Sequence, residues 1–131
     1  MKKVIAFLIM ALVCTACHES IQERAQREAR EFTERNCPTP ESNGTITDSI
    51  TYDPNTNVYT TYLTFTGNID NEEVVKAKAD EVRKNMRNNL MSDMQMRQYI
   101  DAGFNISFIC RSQSDKGKIL LRLDYKNSEL K

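Results

Sequence analysis

The chain is poor in the residues that most chemistry at a protein site requires. It has one histidine, His18, four glycines and three prolines among 131 residues. A cysteine or serine nucleophile needs a base within reach, usually histidine, and His18 stands beside the N-terminal apolar segment, far in sequence from any such group. There is no glycine-rich phosphate loop, no nucleophile elbow and no His or Cys set at metal-ligand spacing. Asp48 or Asp53 with a second acid could make a hydrolase pair, but no spacing supports one. These absences argue against an enzyme and imply no cofactor and no metal. Blocks of basic residues are missing too, and a phosphate backbone is bound by a concentrated basic patch. Nucleic acid is therefore excluded as a partner.

What is present begins with an address. Met1-Lys2-Lys3 is a short cationic head, and Val4 to Val13 is an unbroken apolar run ending in Cys14-Thr15-Ala16-Cys17. This is the layout of an export signal. Ten apolar residues make about 15 Å of helix, half a bilayer core, so the run is too short for a lasting transmembrane span. The end of the run resembles the lipobox of bacterial lipoproteins. That resemblance implies cleavage after Ala16 and acylation of Cys17, with Cys14 departing from the aliphatic residue usual three places before the cut. Residues 1–16 are then a lipoprotein signal peptide and 17–131 a single mature domain, with residues 18–20 as a short tether.

The mature chain loses Lys2 and Lys3, which leaves 16 basic against 18 acidic residues, a formal charge of −2. Attraction to anionic lipid is weak at that charge, so membrane residence rests on the acyl chains, palmitate among them, and two or more chains hold firmly where one does not. His18-Glu19-Ser20 contains no acidic run of the kind tied to surface export in some lineages. The periplasm-facing leaflet of the outer membrane is the expected location, with the cell surface as the alternative. Of the four cysteines, Cys14 leaves with the signal and Cys17 carries lipid. Cys37 and Cys110 remain, an even pair in an exported chain, and a disulfide between them is expected. It would close a loop of about 70 residues.

From Glu19 to Arg35 the chain has no Gly or Pro and reads as a helix, with Ile21, Ala25, Ala29 and Phe32 on one thin stripe. Asn36-Cys37-Pro38 ends it. The period then changes to two. Thr45 to Tyr52 and Val58 to Thr66 form a hairpin across the turn Asp53 to Asn57. Ile46, Ile50 and Tyr52 are expected on one face of the first strand, with Asp48 as an edge-strand charge. Tyr59, Leu63 and Phe65 oppose Thr60, Tyr62 and Thr64 on the second. Asp70 and Glu73 are expected to cap a helix whose stripe is Val75, Ala79, Val82, Met86 and Leu90. Ser92 is expected to cap a shorter one that ends at Gly103. Met86, Met91, Met94 and Met96 suit either core filling or an adaptable binding surface, and core filling is the simpler reading. Phe104, Ile106, Phe108 and Cys110 alternate on a third strand, and Ile119, Leu121, Leu123 and Tyr125 on a fourth.

The expected fold is therefore α+β in two layers. Helices pack on one face of a four-stranded antiparallel sheet made from two hairpins, in the order α-β-β-α-α-β-β. The stretch from Val82 to Tyr125 resembles small exported bacterial lipoproteins of uncharacterised function. The likeness lies in Asn85, Asn88 and Asn89 at a helix end, in Ala102-Gly103-Phe104 before an aromatic strand, and in a hairpin carrying Tyr52-Asp53 and Tyr59 to Tyr62. It implies this fold and no activity. The function expected is a non-catalytic binding or accessory module that docks an unknown envelope protein or polymer. An inhibitor or immunity-type protein of an envelope enzyme is the alternative. The open sheet face around Tyr62 and Thr64 is the expected docking surface, provided that Thr60, Tyr62, Ile109 and Leu120 form a contiguous apolar patch.

Overall fold

The structure, a computed structural model, describes residues 18–131; Cys17 and the signal segment lie outside the described residues. Helix α1 (Ile21–Asn36) starts at Ser20, whose side chain accepts from the Glu23 amide, and Ala25 and Ala29 of its stripe are buried. Strands β1 (Thr45–Asp53) and β2 (Val58–Phe65) follow as a hairpin. The Asp53 carboxylate accepts from the Asn55 amide to shape its turn. A short 3₁₀ turn leads to α2 (Glu72–Ser92) and α3 (Met94–Asp101), then β3 (Asn105–Ser112), β4 (Ile119–Tyr125) and a closing 3₁₀ turn, Asn127–Leu130. Two caps differ from expectation. Asn71, not Asp70, accepts from the first amides of α2. Asp93, not Ser92, caps α3 through the amides of Gln95 and Met96. The Ser92 hydroxyl turns back to the Asn88 and Asn89 carbonyls.

The sheet order is β1-β2-β3-β4. Both hairpins are antiparallel, but β2 and β3 run parallel, with Val58 beside Asn105 and Phe65 beside Ser112. The expectation of an all-antiparallel sheet is thus corrected to a mixed one. The reason lies in the connection. Between β2 and β3 the chain crosses the sheet through α2 and α3, and a helical crossover returns the chain in the direction it left. Glycine serves the re-entry, since Gly103 takes φ +95° after α3.

All three helices cover one face of the sheet. Helix α1 packs on β1, α2 packs on β4, and α3 packs beside α2. Between them and the sheet lies the main core, built on Tyr52, Tyr59, Tyr99, Phe104, Ile106, Phe108, Leu123 and Tyr125. Phe104 is wholly buried, with its ring stacked between Tyr52 at 4.5 Å and Tyr99 at 5.2 Å. A smaller cluster of Phe65, Val75 and Cys110 closes the other end.

Two register shifts alter the predicted faces. One falls between Thr47 and Ser49, so that Ile46 pairs with Thr64 and not with a core residue. A bulge reverses the facing of everything on one side of it, and Ile46 moves to the open face. The other, at Cys110–Arg111, leaves Ile119 opposite Arg111 and half exposed.

Candidate functional site

The open face of the sheet is not the apolar patch that a docking surface there requires. Thr60 and Ile109 are buried. The Arg111 guanidinium lies over the Tyr62 ring, 5.7 Å from its centroid. Thr64 donates its hydroxyl hydrogen to Asp48 at 2.6 Å, so the two residues singled out on this face, Tyr62 and Thr64, are each engaged with a neighbour. Asp48 itself sits at the bulge of β1, an edge strand as anticipated. Beside them Ser107 donates to Asp124, which also pairs with Arg122 at 3.0 Å. The Ser107 hydrogen bond chiefly holds the Asp124 carboxyl below its ordinary range. A shallow depression of about 380 Å³ there is lined by such polar groups, among them Thr51, Asp53, Arg122 and Asp124.

The cysteines expected to pair do not do so. Both are free thiols. The Cys37 segment runs outside the edge strand β1, where the Thr39 amide donates to the Thr47 carbonyl. Thr47 is beside Leu63, and Leu63 is beside Cys110. Two strand spacings, about 10 Å, therefore separate the Thr47 position from Cys110, beyond the reach of a disulfide. Cys110 is buried among Phe65, Val75 and their neighbours, and burial pushes its thiol up to about 12.

The opposite, helical face carries a groove of about 350 Å³. It exists because α1 leans on β1 and α2 on β4, so the middle of the sheet is only partly roofed. Ile50, Tyr59, Thr61 and Phe108 form the floor. Glu28 and Phe32 of α1 make one wall, and Met86, Asn89 and Leu90 of α2 make the other. Asp93, Gln95 and Met96 close the end where α2 gives way to α3. The surface is mostly apolar, and its wall bears Phe32, one of the few exposed large hydrophobic side chains. Phe32 is 38% exposed, and Met94, next to the lining residues Asp93 and Gln95, is 83% exposed. An apolar cleft with a small number of polar groups is the usual form of a binding site.

Six polar residues line this groove, Glu28, Tyr59, Thr61, Asn89, Asp93 and Gln95. Tyr59 is 8% exposed, and its hydroxyl has no hydrogen-bond partner among the described residues. Burial raises its pKa to about 12, and the nearby carboxylates of Glu28 and Asp93 push the same way. Glu28 accepts the Tyr99 hydroxyl at 2.6 Å, which ties α1 to α3 and fixes that wall. Tyr99 is raised in turn, chiefly by burial and then by this bond to the carboxylate. Asp93 spends one oxygen on the α3 cap. Among the described residues no group of three or more His, Cys, Asp or Glu is placed to hold a metal ion, and no helix is long and apolar enough to cross a membrane.

The sequence analysis singled out the open face, whereas the larger apolar surface lies on the helical face, and one signal for the groove was present in the sequence. The methionine cluster divides between the two roles offered for it. Met86, Met91 and Met96 all pack against the core, Met86 and Met96 line the groove as well, and Met94 is exposed.

Several solved structures share the fold. A protein of Pseudomonas aeruginosa described as secreted superposes with a TM-score of 0.70 at 13% identity, covering 87% of this chain and all of that one. A pilotin of the type 2 secretion system of Vibrio vulnificus gives 0.62 at 14% identity, covering 84% and 91%. The corresponding pilotin of Vibrio cholerae gives 0.58 at 13%, covering 82% and 90%. At these identities the likeness is one of fold. No curated protein matches the sequence. Residues 20–121 match the family described as a domain of unknown function, DUF8479, and because that span takes in most of the chain, the protein belongs to this family.

Proposed function

We propose that the protein is a lipid-anchored, non-catalytic accessory module of the cell envelope, and that its groove receives an apolar segment of another envelope protein. The observation that carries this reading is the groove itself, an apolar cleft about 350 Å³ in volume between α1 and the α2–α3 corner, with Phe32 of its wall left exposed. Exposed apolar area beside a cleft raises the free energy of the unbound protein in water, and covering it on binding recovers about 25 cal/mol per Å². The methionines suit the role, since an unbranched thioether adapts to an incoming surface. Two proteins that share the fold are pilotins of a type 2 secretion system, a setting in the envelope. The apolar run ending in Thr15-Ala16-Cys17 supports anchoring through acyl chains on Cys17. The three residues that follow would keep the domain close to the bilayer, by default at the periplasmic leaflet of the outer membrane.

The test compares two faces of the sheet in cells. Met96→Asp places a charge in the groove, and Tyr62→Ala with Thr64→Lys alters the open face. After crosslinking at the membrane, partner recovery is expected to fall for Met96→Asp and to stay unchanged for the other variant, with both proteins folded. Loss confined to the Tyr62/Thr64 variant would move the site to the open face.

A further inference from the structure

We propose that the groove takes a helix whose apolar stripe carries one lysine or arginine, and that this cation is received by three groups of the groove lining, the Tyr59 hydroxyl and the carboxylates of Glu28 and Asp93. The proposal rests on the docking function argued above and specifies the chemistry of the partner. The helical form follows from the walls. An extended segment must hydrogen-bond its own backbone to something, usually a free sheet edge. The groove offers none at its floor, because β2 and β3 are paired on both sides and the outer edge of β1 at Ile50 is taken by the Thr33 hydroxyl, which bonds both the Ile50 amide and its carbonyl. A helix satisfies its own backbone and needs only apolar walls.

The cation follows from the polar groups. Both charged residues lining the groove, Glu28 and Asp93, are acidic. Tyr59 lines the same groove, its side chain more than nine-tenths buried and its hydroxyl engaged by no described residue. Arg24 approaches Glu28 at 3.8 Å but is not part of the lining, and its guanidinium donates to Gln98. A purely apolar helix would therefore seal an unsatisfied hydroxyl and two carboxylates away from water, which is costly. An acidic one would be repelled. An ammonium or guanidinium donates to the hydroxyl oxygen and neutralises the carboxylates together, so the same groups that penalise other helices select this one.

The test uses two labelled amphipathic peptides of about 18 residues, five turns of helix. They share a leucine stripe and differ at one central stripe position, lysine in one and glutamate in the other. Binding is read by fluorescence anisotropy to the full-length chain as isolated from the envelope, in phosphatidylcholine nanodiscs, with empty discs subtracted. The lysine peptide is expected to bind roughly ten- to a hundredfold more tightly, with the margin shrinking as salt is raised. Tyr59→Phe and the pair Glu28→Gln with Asp93→Asn should each reduce that margin while leaving the melting temperature near wild type. The amides preserve the Tyr99 contact and the α3 cap. Equal binding of the two peptides, abolished by Met96→Asp, overturns the cation and leaves the docking groove standing. Failure of both peptides to bind overturns the groove as well.

Discussion

Replacing Phe104 by alanine tests the packing on which the groove rests. The side chain is wholly buried and is the middle ring of a stack, 4.5 Å from Tyr52 and 5.2 Å from Tyr99. Tyr52 belongs to β1 and Tyr99 to α3, so the stack fastens the first strand to the helix that closes the groove. Removing a buried phenyl group costs about 3–5 kcal/mol through lost transfer energy and the cavity left behind. Each aromatic contact adds about 0.5–1.5 kcal/mol beyond its area, which places this site toward the upper end. For a domain of this size 1 kcal/mol lowers the melting temperature by about 4 °C. Thermal unfolding of residues 18–131 followed by circular dichroism should therefore show a fall of about 12–20 °C. Because Tyr99 also holds Glu28, the surviving fold should bind apolar segments less well. A fall under about 5 °C, with an unchanged denaturant slope, would mean that the stack does not organise the core and would refute the reasoning.

Further outcomes follow from other contacts. Glu72 is held at about 2 by Lys118 and Lys76, and Asp70 lies below its ordinary range through Ser112 and Ser114; both carboxylates tie the β3–β4 turn to the start of α2. Their folded values lie below the unfolded ones, so their stabilisation is complete above about pH 4.5 and fades as pH falls toward 2. Glu72→Gln with Asp70→Asn should flatten a urea-midpoint profile across that window, and an unchanged slope would contradict the assignment. Thiol titration should find two free thiols on denaturation without reductant. In the native state Cys37, half-buried and raised chiefly by desolvation, should react much faster than Cys110; a single slow class, or none, would restore the disulfide. Cys17→Ser should release the protein from the membrane fraction and abolish fatty-acid labelling, and normal labelling would sink the lipoprotein assignment.

Much of the molecule could be read from periodicity. Every helix and strand of the described residues was placed to within a few positions, because apolar spacing of three to four or of two reports which residues one element must bury. The thin stripe of α1 announced Ala25 and Ala29, and the paired faces of β2 held residue by residue. Spacing within an element says nothing about its neighbours, however. The parallel pairing of β2 with β3 is a property of the crossover, and two hairpins of unchanged sequence would look the same if joined antiparallel. Bulges are nearly silent. The shift at Thr47–Ser49 sends Ile46 to the open face, and its only trace in the pattern is Asp48, a single charge on the face expected to be apolar.

The groove shows the same division most clearly. Tyr59, Met86 and Met96 each read correctly as inward-facing in sequence, since burial against an adjoining layer is a local demand. Whether that layer closes over them depends on where α1 and α2 come to rest, on β1 and β4 respectively, and on the short α3 that ends the cleft. The free thiols of Cys37 and Cys110 have the same origin. Composition made a disulfide reasonable, but only the fold set the Cys37 segment outside β1, two strands away from β3 and Cys110. Sequence alone determined the elements and most of their buried faces, because those depend on chain-local chemistry. The tertiary structure decided strand direction, cysteine separation and the open cleft, because each is a distance between elements that no single stretch of sequence encodes.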